Sequence, residues 1–163
     1  MRRTGTLLFL TLAIGVSLAR EVEVELQDCT YDQLGELVRK SRGKVVLVDF
    51  WGEFCLPCKK KFPDLVEWNR KYQPKGLRCF SVSLDDFEDR ECRSRALSFL
   101  QAQKAAFTNL ILTEKPKTWQ EKLQTVGPPC LFLFDAEGRP IQKWAGDEIV
   151  KDKVESTLWH ILK

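Results

Sequence analysis

Hydrophobic positions along this chain change period repeatedly, and each change marks an element. Val22, Val24 and Leu26 alternate with Glu21, Glu23, Glu25 and Gln27, which predicts an edge strand with one wet face. Leu34, Leu37 and Val38 share one face of a helix predicted over residues 31–40, capped by Thr30 or Asp28 and followed by Gly43. The run Val45-Val46-Leu47-Val48 lacks polar alternation, so residues 45–50 read as a parallel strand buried on both faces. Phe62, Leu65, Val66 and Trp68 place a long helix over 56–72, and Pro63 is expected to kink it by removing one ladder bond.

Further strands are predicted at 77–84, 109–112, 131–134 and 141–145, the last two joined as an antiparallel hairpin by Asp135-Ala136-Glu137-Gly138. Helices are predicted through Ala96, Leu97 and Leu100, over 118–123, and from near Asp147, the last burying Val150, Val154, Leu158 and Ile161. Strands alternating with helices, then a hairpin and helix, give an α/β chain whose mixed sheet carries helices on both faces. Its 163 residues suffice for one domain with its own core.

The first residues change the reading of address. Met1-Arg2-Arg3 is basic, an apolar stretch runs over 7–16, and Ser17-Leu18-Ala19 offers small residues for cleavage. Residues 1–19 are expected to be a secretory signal peptide and 20–163 the mature domain, secreted or periplasmic. The alternative is an uncleaved anchor, although spanning a bilayer takes ~20 apolar residues. Removing 1–19 takes away Arg2 and Arg3 and lowers the net charge from +3 to +1. Charge this balanced gives no argument for nucleic acid or an anionic membrane as partner, and a monomer is expected. All six cysteines lie in the mature part, where an oxidising compartment favours paired or catalytic thiols.

The densest chemistry lies in 45–63, VVLVDFWGEFCLPCKKKFP, where a strand hands over to a helix at Cys55-Leu56-Pro57-Cys58. The first four N–H groups of a helix lack internal partners and its dipole is positive there, so a thiolate on Cys55 is stabilised. Such placement lowers a cysteine pKa from ~8.5 to roughly 3.5–7.5. Cys55 is therefore the candidate nucleophile, and Cys58, a turn further in, the thiol that resolves the mixed disulfide. A structural bridge or half of a zinc site is the competing reading. Zinc wants four ligands, yet no second Cys-x-x-Cys exists and the sole histidine, His160, is remote. No metal and no dissociable cofactor is called for.

Asp49 interrupts the apolar strand. A buried carboxylate there would have a raised pKa and, as a neutral acid beneath the thiols, could exchange protons with Cys58. A strand-end aspartate facing solvent is the alternative. Trp51 and Phe54 flank the thiols either as an apolar docking surface or as core, and both readings stand. Lys59, Lys60 and Lys61 read as a solvated helix face more than as support for a thiolate. Cys79 reads as a buried small hydrophobe, and Cys130 as a strand-core residue with a third active-site thiol as the alternative. Cys29 and Cys92 could pair with each other or elsewhere, and spacing does not choose. His160 belongs to the surface or packing of the last helix.

The run from Val48 through Cys55-Leu56-Pro57-Cys58 to Lys59 resembles the active-site signature of thioredoxins, with Pro63 where their active-site helix kinks. Gly52, Phe54 and Leu56 depart from it, thioredoxin commonly having Ala, Trp and Gly there. The helix and strand inserted between Asp85 and Gly127, with the signal peptide, resemble the exported branch typified by bacterial TlpA and ResA proteins. The resemblance implies a thioredoxin fold with an N-terminal extra strand and an inserted segment before a cis-proline, which falls at Pro129. It implies thiol-disulfide oxidoreductase activity on protein partners, a second redox partner to reset the dithiol, and proton transfer by Asp49. Trp51, Phe54, Pro57, Pro128 and Pro129 form the implied substrate-contacting set; Pro128, before the cis-proline, lacks a backbone donor. The alternatives are a thiol peroxidase and a thiol-based metal or apoprotein carrier. Reducing and oxidising members share this constellation.

Overall fold

The computed structural model describes residues 23–163, so the expected signal peptide and Val22 lie outside the described residues. The elements are β1 (Gln27–Cys29), α1 (Tyr31–Lys40), β2 (Val45–Trp51), α2 (Leu56–Tyr72), β3 (Leu77–Ser83), α3 (Arg90–Ala102), β4 (Thr108–Leu112), α4 (Pro116–Leu123), β5 (Cys130–Phe134), β6 (Pro140–Ala145) and α5 (Lys151–Ile161). Six strands form one mixed sheet in the order β1-β4-β3-β2-β5-β6. The first four run parallel, and β5 and β6 are antiparallel to their neighbours. Five helices flank this sheet, which is the thioredoxin-like arrangement. Among the described residues no helix is long and apolar enough to cross a membrane.

Strand β2 is central and buried along its whole length, between parallel β3 and antiparallel β5. Strand geometry turns alternate residues to opposite faces, so its side chains divide between two cores. Leu47 and Trp51 join Phe62, Leu65 and Trp68 of α2, Ala96 and Leu100 of α3, and Val154 and Leu158 of α5. Val46, Val48 and Phe50 join Leu34 and Val38 of α1 and Trp119 and Leu123 of α4. Burying each large apolar side chain is worth ~1.5–3 kcal/mol, and the two layers clamp β2 from both sides. The junction that follows β2 is thereby held on a rigid frame.

Helix α1 starts at the expected place, with Thr30 and Gln33 forming a reciprocal capping box. Helix α2 runs through Pro63, whose solvent-facing position leaves only one backbone acceptor without its usual donor. Three boundaries differ from expectation. The edge strand is only Gln27–Cys29, because pairing with β4 covers just those residues, and Val24 packs beside the core without a ladder partner. Helix α4 begins at Pro116 instead of Thr118, since proline suits the first helical turn. Helix α5 begins at Lys151, after the 3₁₀ turn Gly146–Glu148, and Val154 and Leu158 keep the buried face expected of them. Only at the two ends does burial differ, Ile149 and Leu162 being buried in place of Val150 and Ile161, which are exposed.

Candidate active site

At the end of β2 the chain turns through Gly52-Glu53-Phe54 and enters α2 with Cys55 as its N-cap residue. Cys55 and Cys58 are joined by a disulfide, with Cα atoms 5.3 Å apart. The Cys58 backbone N–H donates to Cys55 Sγ at 3.2 Å, one of the helix's otherwise unpartnered donors aimed at the sulfur that would carry negative charge after reduction. Cys55 is the more exposed of the pair, and Cys58 lies deeper against the core. Access therefore favours Cys55 as the attacking or attacked sulfur.

Asp49, on β2, is only 7% exposed. Burial pushes its carboxyl up to about 7, where it can give and take a proton at neutral pH. It shares a small cavity with Cys58, Lys61, Trp68, Pro129 and Ile149. The cavity measures about 10 Å³, near the lower limit for one water. The Trp68 indole N–H, buried without a partner among the described residues, belongs to a side chain on the same wall. Lys61 donates to the Ile149 carbonyl, which ties α2 to the segment before α5. Cys79 faces the same layer, and burial, with the Asp49 charge second, pushes its thiol well above the ordinary range.

The turn before Cys55 is held by a residue that sequence reasoning missed. Asp85, buried just past β3, accepts the Glu53 backbone N–H at 2.9 and 3.0 Å through its two carboxylate oxygens. Ser83 Oγ donates to it at 2.6 Å, and the half-buried Cys92 thiol lies 3.6 Å from its other oxygen. The only signal in the chain was an acid directly after an apolar strand. Glu53 itself binds Lys59 Nζ at 3.2 Å and Arg95 Nε at 3.4 Å, and the Lys59 contact is the first cause of its lowered pKa. Lys59 thus serves Glu53, while Lys60 is the solvated residue of the lysine run.

Phe54 and Leu56 stand out beside Cys55, 64% and 60% exposed. Gly52 explains the position of Phe54. A Cβ on Gly52 would sit 2.5 Å from Phe54 Cε1, so the ring folds over a place that only glycine leaves free. Two of the departures from the thioredoxin signature are therefore one coupled feature. Leu56 was not among the expected contact residues, although its exposure at the helix start places it with Phe54.

Trp51 corrects the docking-surface reading. It is fully buried, with its ring 5.3 Å from Phe62 and 5.1 Å from Phe99, and no partner can reach it without unfolding the core. The Pro128–Pro129 peptide is cis; Pro129 is buried beside Asp49 and Cys58, Pro128 is half-exposed, and Pro57 is exposed in the first turn of α2. Cys130 lies in the α1–α4 layer, across the sheet from the dithiol, so it is a core residue and no third active-site thiol; burial raises its pKa to about 11. Cys29, Cys79, Cys92 and Cys130 are all unpaired. Burial, and then Glu114, raises Cys29 to about 11. His160 is exposed on α5, with Nδ1 2.6 Å from the Ser156 carbonyl. Among the described residues no cluster of three His, Cys, Asp or Glu side chains is arranged to hold a metal ion.

Comparison with known proteins places this geometry. The chain is 30% identical over 121 residues to a thiol-disulfide oxidoreductase ResA of Bacillus cereus, a match covering 74% of this chain and 65% of that protein. It thus spans less than two thirds of that relative. The ResA of Bacillus subtilis (strain 168) is 25% identical over 157 residues, covering 88% of this chain and 83% of the relative. Among solved structures, a thiol:disulfide interchange protein assigned as DsbE from Chlorobium tepidum superposes with a TM-score of 0.62 at 29% identity, over 76% of this chain and 84% of that one. The AhpC/TSA family model matches residues 19–141, most of the chain and with it Asp49, Cys55, Cys58 and Pro129, and the chain accordingly belongs to this thioredoxin-like family.

Proposed function

We propose that this chain exchanges disulfides with protein partners through Cys55 and Cys58. The observation that carries the reading is a disulfide between Cys55, the less deeply buried of the two, at the start of α2 and Cys58, which lines one small cavity with a buried carboxyl of pKa about 7. In the reducing direction the Cys55 thiolate attacks one sulfur of a substrate disulfide, forming a mixed disulfide and releasing the other sulfur as a thiolate. The Cys58 thiol gives its proton to the Asp49 carboxylate, through the one-water cavity, and its thiolate attacks Cys55 Sγ. That step restores the Cys55–Cys58 bond and expels the second substrate sulfur, to which Asp49 returns the proton. Oxidation of a substrate dithiol is the reverse sequence.

Phe54, Leu56, Pro57 and Pro128 form the rim that the substrate segment meets, with Pro129 behind the sulfurs. The dithiol is reset by a second redox partner. Its reduction potential sets the direction, about −270 mV marking a reductant and about −120 mV an oxidant. Export to an extracytoplasmic compartment is part of the proposal and rests on the basic and apolar start of the sequence.

Insulin reduction with dithiothreitol as the recycling thiol tests the reading. The wild type should accelerate it, Cys55→Ser should abolish the effect, and Cys58→Ser should accumulate a mixed disulfide visible by mass. Failure of the intact dithiol to accelerate reduction, with either rapid hydrogen peroxide turnover or thiol-dependent copper binding, overturns it in favour of a peroxidase or a carrier.

A further inference from the structure

A large cavity lies on the other side of the sheet from the dithiol, between α1, α4 and the β5–β6 hairpin. Its volume is about 450 Å³, within the roughly 300–1,000 Å³ range of small-molecule sites. Phe50, Phe132 and Phe134 form its aromatic wall, and the last two rings remain half-exposed although they project from a strand between helices. Helix α1 forms the facing wall.

The cavity is written into that helix. Tyr31, Leu34, Gly35 and Val38 fall at the i, i+3, i+4, i+7 spacing of one face, and all four line the space. Three are large or branched, and the fourth has no side chain. Gly35 lacks the positive φ that would require glycine, and a helix interior disfavours it. A Cβ there would meet nothing closer than Arg39 Nη1, at 3.4 Å. The glycine thus removes the side chain that would fill the cavity, and it lets the Arg39 guanidinium lie back across the gap.

Charge at the opening selects the occupant. Arg39, Arg42 and Arg139 stand there with Glu137 as the acidic side chain. Arg139 is engaged by Asp135 and Glu137, whereas the ion pairs of the described residues give Arg39 and Arg42 no carboxylate, Lys40 taking Glu36 on the same helix. An apolar chamber opening beside two free guanidinium groups matches an amphiphilic anion, with its tail in the chamber and its head group on the arginines. We propose that this cavity binds a small organic carboxylate with an apolar tail, of the medium-chain fatty acid class, at a site separate from the dithiol.

Calorimetric titration of the oxidised protein with decanoate, below its micellar concentration, tests this. Binding should saturate at one equivalent, and the ring-proton resonances of Phe132 and Phe134 should shift along the same isotherm. Gly35→Leu and Val38→Phe, which fill the chamber from adjacent turns, should each weaken binding at least about tenfold while insulin reduction is unchanged. Arg39→Ala/Arg42→Ala should weaken decanoate by about 10- to 100-fold, the range of a charge-assisted hydrogen bond, and leave decanol within about threefold. Absence of saturation, or saturation without movement of the two phenylalanine resonances, overturns the site even if a filling variant fails to fold. Equal loss of decanoate and decanol in the arginine variant overturns the assignment of an anion.

Discussion

Replacing Asp49 with Asn should gain stability relative to the wild type as the pH rises from about 4 to about 7, and hold that gain above it. The carboxyl titrates at about 7 in the folded protein against an ordinary value of 3.8, and burial is the cause. A folded-state pKa above the unfolded one means that the folded protein holds its proton more tightly. The cost of the buried charge is therefore absent below about pH 4, grows through the window up to about pH 7, and is complete above it. Three pKa units at 1.36 kcal/mol each put the full cost at about 4 kcal/mol, of which about 2.5 kcal/mol falls between pH 5 and pH 8. Asparagine keeps the shape and carries no charge, so urea unfolding of both oxidised proteins at the two pH values isolates this one group. The stability difference between variant and wild type should move by about 2.5 kcal/mol in the variant's favour from pH 5 to pH 8. A difference that stays within about 0.5 kcal/mol would refute the buried, proton-exchanging Asp49. The same variant should lose the inflection near neutrality in the pH profile of mixed-disulfide resolution, and slow that step about 10²- to 10⁴-fold.

Phe54→Ala should change stability by less than about 0.5 kcal/mol, because the ring is mostly solvated, yet lower kcat/KM for a protein disulfide several-fold. Gly52→Ala should give a similar kinetic loss by displacing the ring, and the double variant should be no worse than Phe54→Ala; additive losses would show the two positions uncoupled. Asp85→Ala leaves the Glu53 N–H and the Ser83 hydroxyl without their acceptor and should cost about 2–4 kcal/mol in denaturant unfolding, with slower attack by Cys55. Alkylation of the reduced native protein at pH 8, read by mass, should label Cys55 first and the half-buried Cys92 next, with Cys29, Cys79 and Cys130 protected until unfolding by burial and raised pKa values.

Much of the fold was legible because local periodicity and burial agreed. The uninterrupted apolar run before Asp49 read as a buried parallel strand and is one, and of the two caps the sequence offered for α1, Thr30 and Asp28, it is Thr30 that caps it. Misreadings arose at the two ends of the last helix. Val150 is its N-cap and Ile161 its last helical residue, and Ile149 and Leu162 just outside it are buried instead, which spacing alone could not reveal. At the site, Trp51 was ambiguous in sequence because an aromatic beside a thiol pair serves equally as core or as surface. The strand's alternation, acting through α2 and α3, decided for core.

By itself the sequence determined the dithiol's setting, since two cysteines separated by only Leu56 and Pro57 at a strand–helix junction stay together in any fold that keeps the junction. It also determined that a carboxyl would interrupt the buried strand. Only the tertiary structure decided what lies next to these groups. Asp85 reaches the Glu53 N–H from 32 residues away, Pro129 and Ile149 close the small cavity around Asp49, and Cys130 is turned to the far side of the sheet. Those relations depend on strand order and register, which bring distant segments together, and no local pattern of hydrophobic and polar residues specifies them.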